Sequence, residues 1–362
     1  MATPRTYTLA GLTILLFLGI VGMMFFLTDL RALGAVISNL GTGFLLLALL
    51  TAVLSYFFNY LGFRGLVRAV DCPVGGGDLF RIAFASATVS YLFSAGGVSG
   101  MTLRLYFLRR QGIRTHTTLI VSLVSTMLNN VVLLLFVVLG FGRLLLTGSL
   151  NLLQQLVSGV IVALSGLLVA SAFIGLYNRN VLDLVLKVCI RLVKRLARVL
   201  PSSRLLSQAT DESLERFRLE FHEATALITS KRRKIAVPFL WLLIDWAAAA
   251  GVLYFCFLAT GYAISPGALA AGFAVGVFVF LISVVPGGLG IMEGSMVALY
   301  VSLGVPLEQA LVALLAYRVI YYFLPFGVSL VLCGPLLREA TAAAVPIPGD
   351  AAGGVDSEKM LR

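Results

Sequence analysis

Residues 235–258 read IAVPFLWLLIDWAAAAGVLYFCFL, an unbroken run in which the single charged residue is Asp245. About 20 mostly apolar residues suffice for a helix to cross a ~30 Å hydrocarbon core at 1.5 Å per residue. Lipid offers backbone groups no hydrogen-bond partner, so a run of this length and polarity is helical. Leu9–Thr28, Gly43–Phe63, Thr117–Gly142 and Leu152–Tyr177 have the same character. Of the 362 residues, 60% are apolar and 12% charged, against roughly 25% charged in ordinary soluble domains. These values exclude a water-soluble fold and predict an all-α, polytopic integral membrane protein of about eight helical segments. Leu9–Thr28 exceeds the apolar length of a secretory signal, and Thr28-Asp29-Leu30-Arg31 offers no small-residue cleavage site, so it is read as a retained first span.

Two apolar regions are broken near their middles by small residues, at Ser94-Ala95-Gly96-Gly97-Val98-Ser99-Gly100 and at Pro286-Gly287-Gly288-Leu289-Gly290. Glycine frees the chain to turn at these points. Residues 79–110 and 267–303 are therefore expected to form two broken hairpins, either re-entrant or joined by tight turns between full spans. Non-helical backbone at membrane depth requires surrounding protein or a watery cavity. Gly97 is followed 15 residues later by Gly112-Ile113, and Gly288 is followed 16 residues later by Gly304-Val305. Each pair leads into another long apolar run. The pattern of span, broken hairpin and span thus occurs twice, as in transporters built from repeats.

The expected organisation is a cytoplasmic amino terminus (1–8), a first membrane half (9–177), a basic amphipathic linker (178–234), a second membrane half (235–335) and a cytoplasmic tail (336–362). The linker carries 13 Lys/Arg against 6 Asp/Glu, which places it in the cytoplasm. If each hairpin returns to the side it entered from, 24 of the 27 Lys/Arg lie inside and the halves are inverted. Threading residues 79–110 through once would put Arg104, Arg109, Arg110 and Arg114 outside, against the positive-inside rule. Within the linker, Lys187, Arg191, Lys194, Arg195 and Arg198 recur at helical spacing opposite an apolar face. A helix so patterned lies in the membrane interface and favours anionic lipids, or else simply anchors the protein. The net charge of +11 is thereby assigned to a membrane surface, and no nucleic-acid partner is expected.

Cys72, Cys189, Cys256 and Cys333 are scattered, and His116 and His222 have no neighbouring ligands, so neither a metal site nor a cofactor is expected. The main ionisable candidates within the membrane are Asp245, Glu293 and Arg318. From the ends of their runs, Asp245 and Arg318 fall ~15–18 Å deep, near the midplane. One reading has Arg318 hold a lipid phosphate while the acids position it or bind a cationic head group. The other is a buried Asp245–Arg318 pair that locks helices. Glu293 opens a helix after Gly290, where a carboxylate suits the helix dipole, so capping competes with function there. Asn129 and Asn130, with Ser122 and Ser125, either line the same cavity or bond between helices. Gly272-x-x-x-Gly276 permits close helix contact within the chain or in a homo-oligomer.

Pro286-Gly287-Gly288-Leu289-Gly290-Ile291-Met292-Glu293-Gly294, then Leu303-Gly304-Val305-Pro306, then Ala316-Tyr317-Arg318-Val319-Ile320-Tyr321-Tyr322 resembles the signature of the lysylphosphatidylglycerol synthase transmembrane-domain family. The resemblance spans about Leu9 to Pro335. It implies a bacterial inner-membrane protein that flips modified phospholipids, with Glu293, Tyr317, Arg318 and the turn Gly287, Gly288 and Gly290 as functional positions. Gly96 and Gly97 take the matching place in the first half, where the proline often seen is lacking and Asn129-Asn130 stands in place of an arginine. The sequence ends at Arg362 without room for a soluble aminoacyl-transfer domain, so no catalytic residue is expected. No Gly-x-x-x-x-Gly-Lys-Ser/Thr loop occurs, so no ATP motor is expected. A non-transporting lipid-binding scaffold and a membrane-embedded lipid transferase are the competing classes.

Overall fold

The computed structural model describes residues 30–70, 74–93, 98–111, 113, 115–146, 155–156, 159–163, 165–167, 169–170, 219, 223, 226, 230–282, 288 and 290–332. Among the described residues there is no strand. The helices are α1 (Leu30–Ser38), α2 (Thr42–Ala69), α3 (Gly76–Phe93), α4 (Val98–Arg110), α5 (Thr115–Leu146), α6 (Arg232–Ala259), α7 (Pro266–Ile282), α8 (Ile291–Ser302) and α9 (Leu307–Arg318). A π-helical turn, Val319–Phe323, follows α9, and helix resumes as far as Leu332. Four helical stretches are long and apolar enough to cross a membrane, at Thr42–Ala69, Thr117–Arg143, Arg233–Ala259 and Leu307–Leu332. They contain the runs read as spans in residues 43–63, 117–142 and 235–258, and the last follows Pro306. The expected span Leu9–Thr28, the linker cations Lys187, Arg191, Lys194, Arg195 and Arg198, and the tail lie outside the described residues, and the expected span Leu152–Tyr177 is helical at its described positions, 155–156, 159–163, 165–167 and 169–170.

α2 shows why these helices need lipid. Leu46, Leu50, Val53 and Phe57 are each at least 46% exposed and recur at helical spacing down one side of it. Burying such a stripe in hydrocarbon removes the large cost of wetting it. The opposite face, with Ala48, Ala52, Ser55 and Tyr56, is buried against the rest of the protein.

α2 and α6 form the central pair, and they run antiparallel. The Gly41 amide donates to the Ala259 carbonyl at 2.8 Å, closing one end. At the other end Lys231 Nζ donates to the Ala69 carbonyl at 2.6 Å, meeting an orphan carbonyl where a cation also suits the helix dipole. Between them, Gly62 and Gly65 leave space for Pro238 and Leu242.

Ser55 of α2 contacts Asp245 of α6, 190 residues away. The same interval separates the first residues of α2 and α6, both 28 residues long, and those of α3 and α7, 18 and 17 residues long. α4 and α8, of 13 and 12 residues, complete the match. Equivalent helices that meet antiparallel at equivalent residues are related by a two-fold axis lying across them. The fold is an inverted repeat.

Each repeat holds one broken hairpin. α3 packs on α4, and α7 packs on α8. At 1.5 Å per residue α8 is only ~18 Å long, short of the ~30 Å needed to cross the hydrocarbon. The glycine spacing at 272 and 276 serves this hairpin within the chain, since any side chain at Gly272 would meet the Tyr300 ring and any at Gly276 would meet Met296. The two halves interlock where α5 of the first packs on α7 of the second, with Gly140 set against Ala270 and Ala274.

Candidate functional site

The Gly288–Gly290 turn precedes the first buried charged pair. Gly288 and Gly290 have φ of +63° and +82°, in the left-handed region that a side chain disfavours by ~1–2 kcal/mol. Reversing the chain there lets α8 start with its free amides inside the protein. Glu293, one turn in, accepts the Gly290 amide at 2.7 Å, and its other oxygen forms an ion pair with Arg318 Nε of α9. The capping role and the charge-pairing role therefore fall to the same carboxylate. Arg318 also donates to Met292 Sδ at 3.2 Å and lies over the Tyr322 ring at 4.3 Å. Both charges are buried.

Asp245 does not share this site. The expected Asp245–Arg318 pair is corrected: the carboxylate faces α2, where Ser55 Oγ donates to Oδ1 and Asn59 Nδ2 donates to Oδ2 at 2.8 Å. Ser55 and Asn59 are one helical turn apart, so one face of α2 supplies both donors. Asp245 thus seals the antiparallel seam between the repeats, and of the three predicted ionisable groups the structure brings together only Glu293 and Arg318.

The π-helical turn directly after Arg318 shifts the backbone register, a feature common at functional sites. Tyr56 Oη donates to the Tyr321 carbonyl at 2.9 Å, and Tyr321 Oη lies 3.0 Å from Ser55 Oγ. The turn gathers Tyr317, Tyr321 and Tyr322 against Tyr91 of α3, with ring centroids 5.4–5.9 Å apart. These rings, with Trp246, Phe280 and Met292, line an apolar chamber.

A second, polar chamber adjoins it, sharing Tyr91, Trp246 and Phe280 in its wall. Its cavity volume is about 50 Å³, and the empty space counted out to open solvent is about 760 Å³. Asn129 and Asn130 line this chamber and not a cavity shared with Arg318, Glu293 and Asp245, and Trp246 Nε1 donates to Asn129 Oδ1 across helices at 2.9 Å. Ser125 also faces it, whereas Ser122 is buried away from it. The residues that complete its polar wall were not singled out from sequence: Asn59, Ser86, Ser90 and Arg104. Arg104 donates to Ser86 Oγ at 3.2 Å and to Ser125 Oγ at 2.7 Å, and sits over the Phe63 ring at 5.7 Å. It lies in the middle of α4, whereas Glu293 lies in the first turn of α8. Its separation from the Arg109-Arg110 pair by four apolar residues was the available sign that it turns inward rather than to the surface. Gly96, Gly97 and Gly287 lie outside the described residues.

These features define a class: a helical multi-pass membrane protein whose inverted halves enclose a polar chamber and an aromatic one. The family model of the lysylphosphatidylglycerol synthase transmembrane region matches residues 9–329, and the chain belongs to that family. It is similar to a phosphatidylglycerol lysyltransferase of Staphylococcus aureus, with 38% identity over 89 residues, covering 25% of this chain and 11% of the relative. A phosphatidylglycerol lysyltransferase of Staphylococcus epidermidis is 37% identical over 89 residues, with the same coverage. The aligned stretch is thus a small fraction of each relative's length.

Proposed function

We propose that this protein passes phospholipids between the leaflets of a bacterial inner membrane, without converting them, by leading head groups through the paired chambers between its inverted halves. One observation carries the reading: a polar chamber lies inside helices whose outer faces are apolar, at the meeting of two oppositely oriented repeats. Polar surface within a membrane protein is costly and needs either a partner or a polar passenger. Inversion provides two equivalent routes of access to such a chamber, the arrangement on which alternating access rests. The apolar chamber beside it suits the glycerol and upper acyl segments of a lipid.

The similarity to phosphatidylglycerol lysyltransferases supports anionic phospholipids or their modified forms as passengers. The positive-inside rule supports cytoplasmic termini, and the linker cations Lys187, Arg191, Lys194, Arg195 and Arg198 would then attract anionic lipid to the inner leaflet. A homo-oligomer is compatible with this scheme and is not required by it.

The test is leaflet exchange. Purified protein is reconstituted into vesicles that carry fluorescent phosphatidylglycerol, and the label in the outer leaflet is quenched chemically with time. Exchange well above that of protein-free vesicles is expected, slowed by Asn130→Trp, which fills the polar chamber, and lost in Arg318→Ala and Glu293→Gln. Exchange at the protein-free rate refutes the proposal. Chemical conversion of the lipid would instead mark a transferase.

A further inference from the structure

We infer that Arg104, with Ser86, Ser90 and Ser125, forms the seat for the phosphodiester of a phospholipid head group in the polar chamber. The inference rests on the transport reading above and names the residues that would hold the passenger.

Arg318 and Arg104 are in opposite situations. Arg318 is paired with Glu293, so its charge is already met. Arg104 faces no carboxylate among the described residues, and it donates to the hydroxyls of Ser86 and Ser125. Ser125, which it touches, lies ten residues into α5 from Thr115, ~15 Å along the helix. A guanidinium held that far from the helix end without an acid calls for an anion. It also presents several donors in a plane, a geometry that suits phosphate oxygens better than a point charge does.

Ser90 is the independent observation. It is 9% exposed, its hydroxyl has no hydrogen-bond partner, and it lines the same chamber. Buried hydroxyls are seldom left unmet, and one that stays so beside an unneutralised arginine marks where a ligand oxygen belongs. Ser86 and Ser90 lie one turn apart on α3, so both face α4. Gly100 on α4 permits the approach, because any side chain there would strike Ser90. Together the set places a planar cation and three hydroxyls around one volume, while the shared aromatic wall leads away to the apolar chamber.

The probe is dihexanoyl phosphatidylglycerol, which is short enough to titrate in detergent, read through Trp246 fluorescence in a Trp241→Phe background. Saturable binding is expected, weakened about 10- to 100-fold by Arg104→Gln, as for loss of a charge-assisted hydrogen bond, and several-fold by Ser90→Ala. Ser90→Ala removes no existing bond, so its unfolding temperature stays at or above that of the wild type. Dihexanoylglycerol, which lacks the phosphate, does not saturate the signal. Undiminished binding in both variants overturns the seat, as does equal binding of dihexanoylglycerol. Saturation by inorganic phosphate with no response to the lipid overturns the head-group assignment. If Arg104→Gln fails to fold, Ser90→Ala decides alone, and unchanged affinity in it refutes the inference. Lipid exchange by a variant with undiminished binding leaves transport standing without this seat. Arg104-dependent binding by wild-type protein that exchanges no lipid does the reverse.

Discussion

Breaking the Glu293–Arg318 pair should cost far more than removing it whole. The two side chains are 6% and 4% exposed, so either charge left alone would be buried without its counterion. Deleting one partner of a buried pair typically costs ~3–5 kcal/mol, whereas replacing both with uncharged groups of similar volume is often near neutral. In Arg318→Met, the Glu293 carboxylate keeps the Gly290 amide but loses its cation. In Glu293→Gln, the amide bond survives while Arg318 loses its anion. The double variant keeps a side-chain oxygen for Gly290 and forfeits the contact of Arg318 with the Tyr322 ring, a loss of ~0.5–2 kcal/mol. A double-mutant cycle should therefore show roughly 3–5 kcal/mol for each single variant and about 1–2 kcal/mol for the double. Equilibrium unfolding in mixed micelles, with the denaturing detergent fraction as the variable, measures all three. A double variant that loses the sum of the two single losses would refute the pairing.

Three further outcomes follow from the geometry. Asp245→Asn should retain the fold, because an amide can accept from Asn59 and donate to Ser55, whereas Asp245→Ala should lose ~1–3 kcal/mol by leaving both buried partners unmet; thermal unfolding separates the two. Gly290→Ala should destabilise by ~1–2 kcal/mol because of its φ of +82°, and the same measurement shows it. In a background without the four native cysteines, Thr51→Cys with Gly251→Cys should form a disulfide under mild oxidation, since a side chain at Gly251 would lie 3.4 Å from Thr51. Thr51→Cys with Ile235→Cys should not, and a gel-mobility assay that found the reverse would overturn the antiparallel seam.

The repeat was legible because it leaves a trace along the chain: glycine-rich breaks and apolar runs recur at similar intervals, and hydropathy alone finds three of the four long helices. Glu293 and Arg318 stood out because a charge within an apolar run is conspicuous. Arg104 did not, since it is close to Arg109 and Arg110 and invites assignment with them to the cytoplasmic surface. Asn129 and Asn130 could be placed on a chamber wall but not assigned a partner, because Trp246 belongs to the other repeat. The π-helical turn left no reading in the sequence: it depends on Tyr56 of a distant helix bonding the Tyr321 carbonyl.

Local composition was enough to establish that the chain enters lipid as helices, because an uninterrupted apolar run of about 20 residues satisfies its backbone in hydrocarbon as a helix, and its glycine clusters marked two breaks in a recurring pattern. Partner choice was settled only in three dimensions. Helical periodicity says which residues share a face, but not which helix that face meets. The antiparallel crossing of α2 and α6 gave Asp245 to Ser55 and Asn59, left Glu293 for Arg318, and left Arg104 among hydroxyls at the chamber wall.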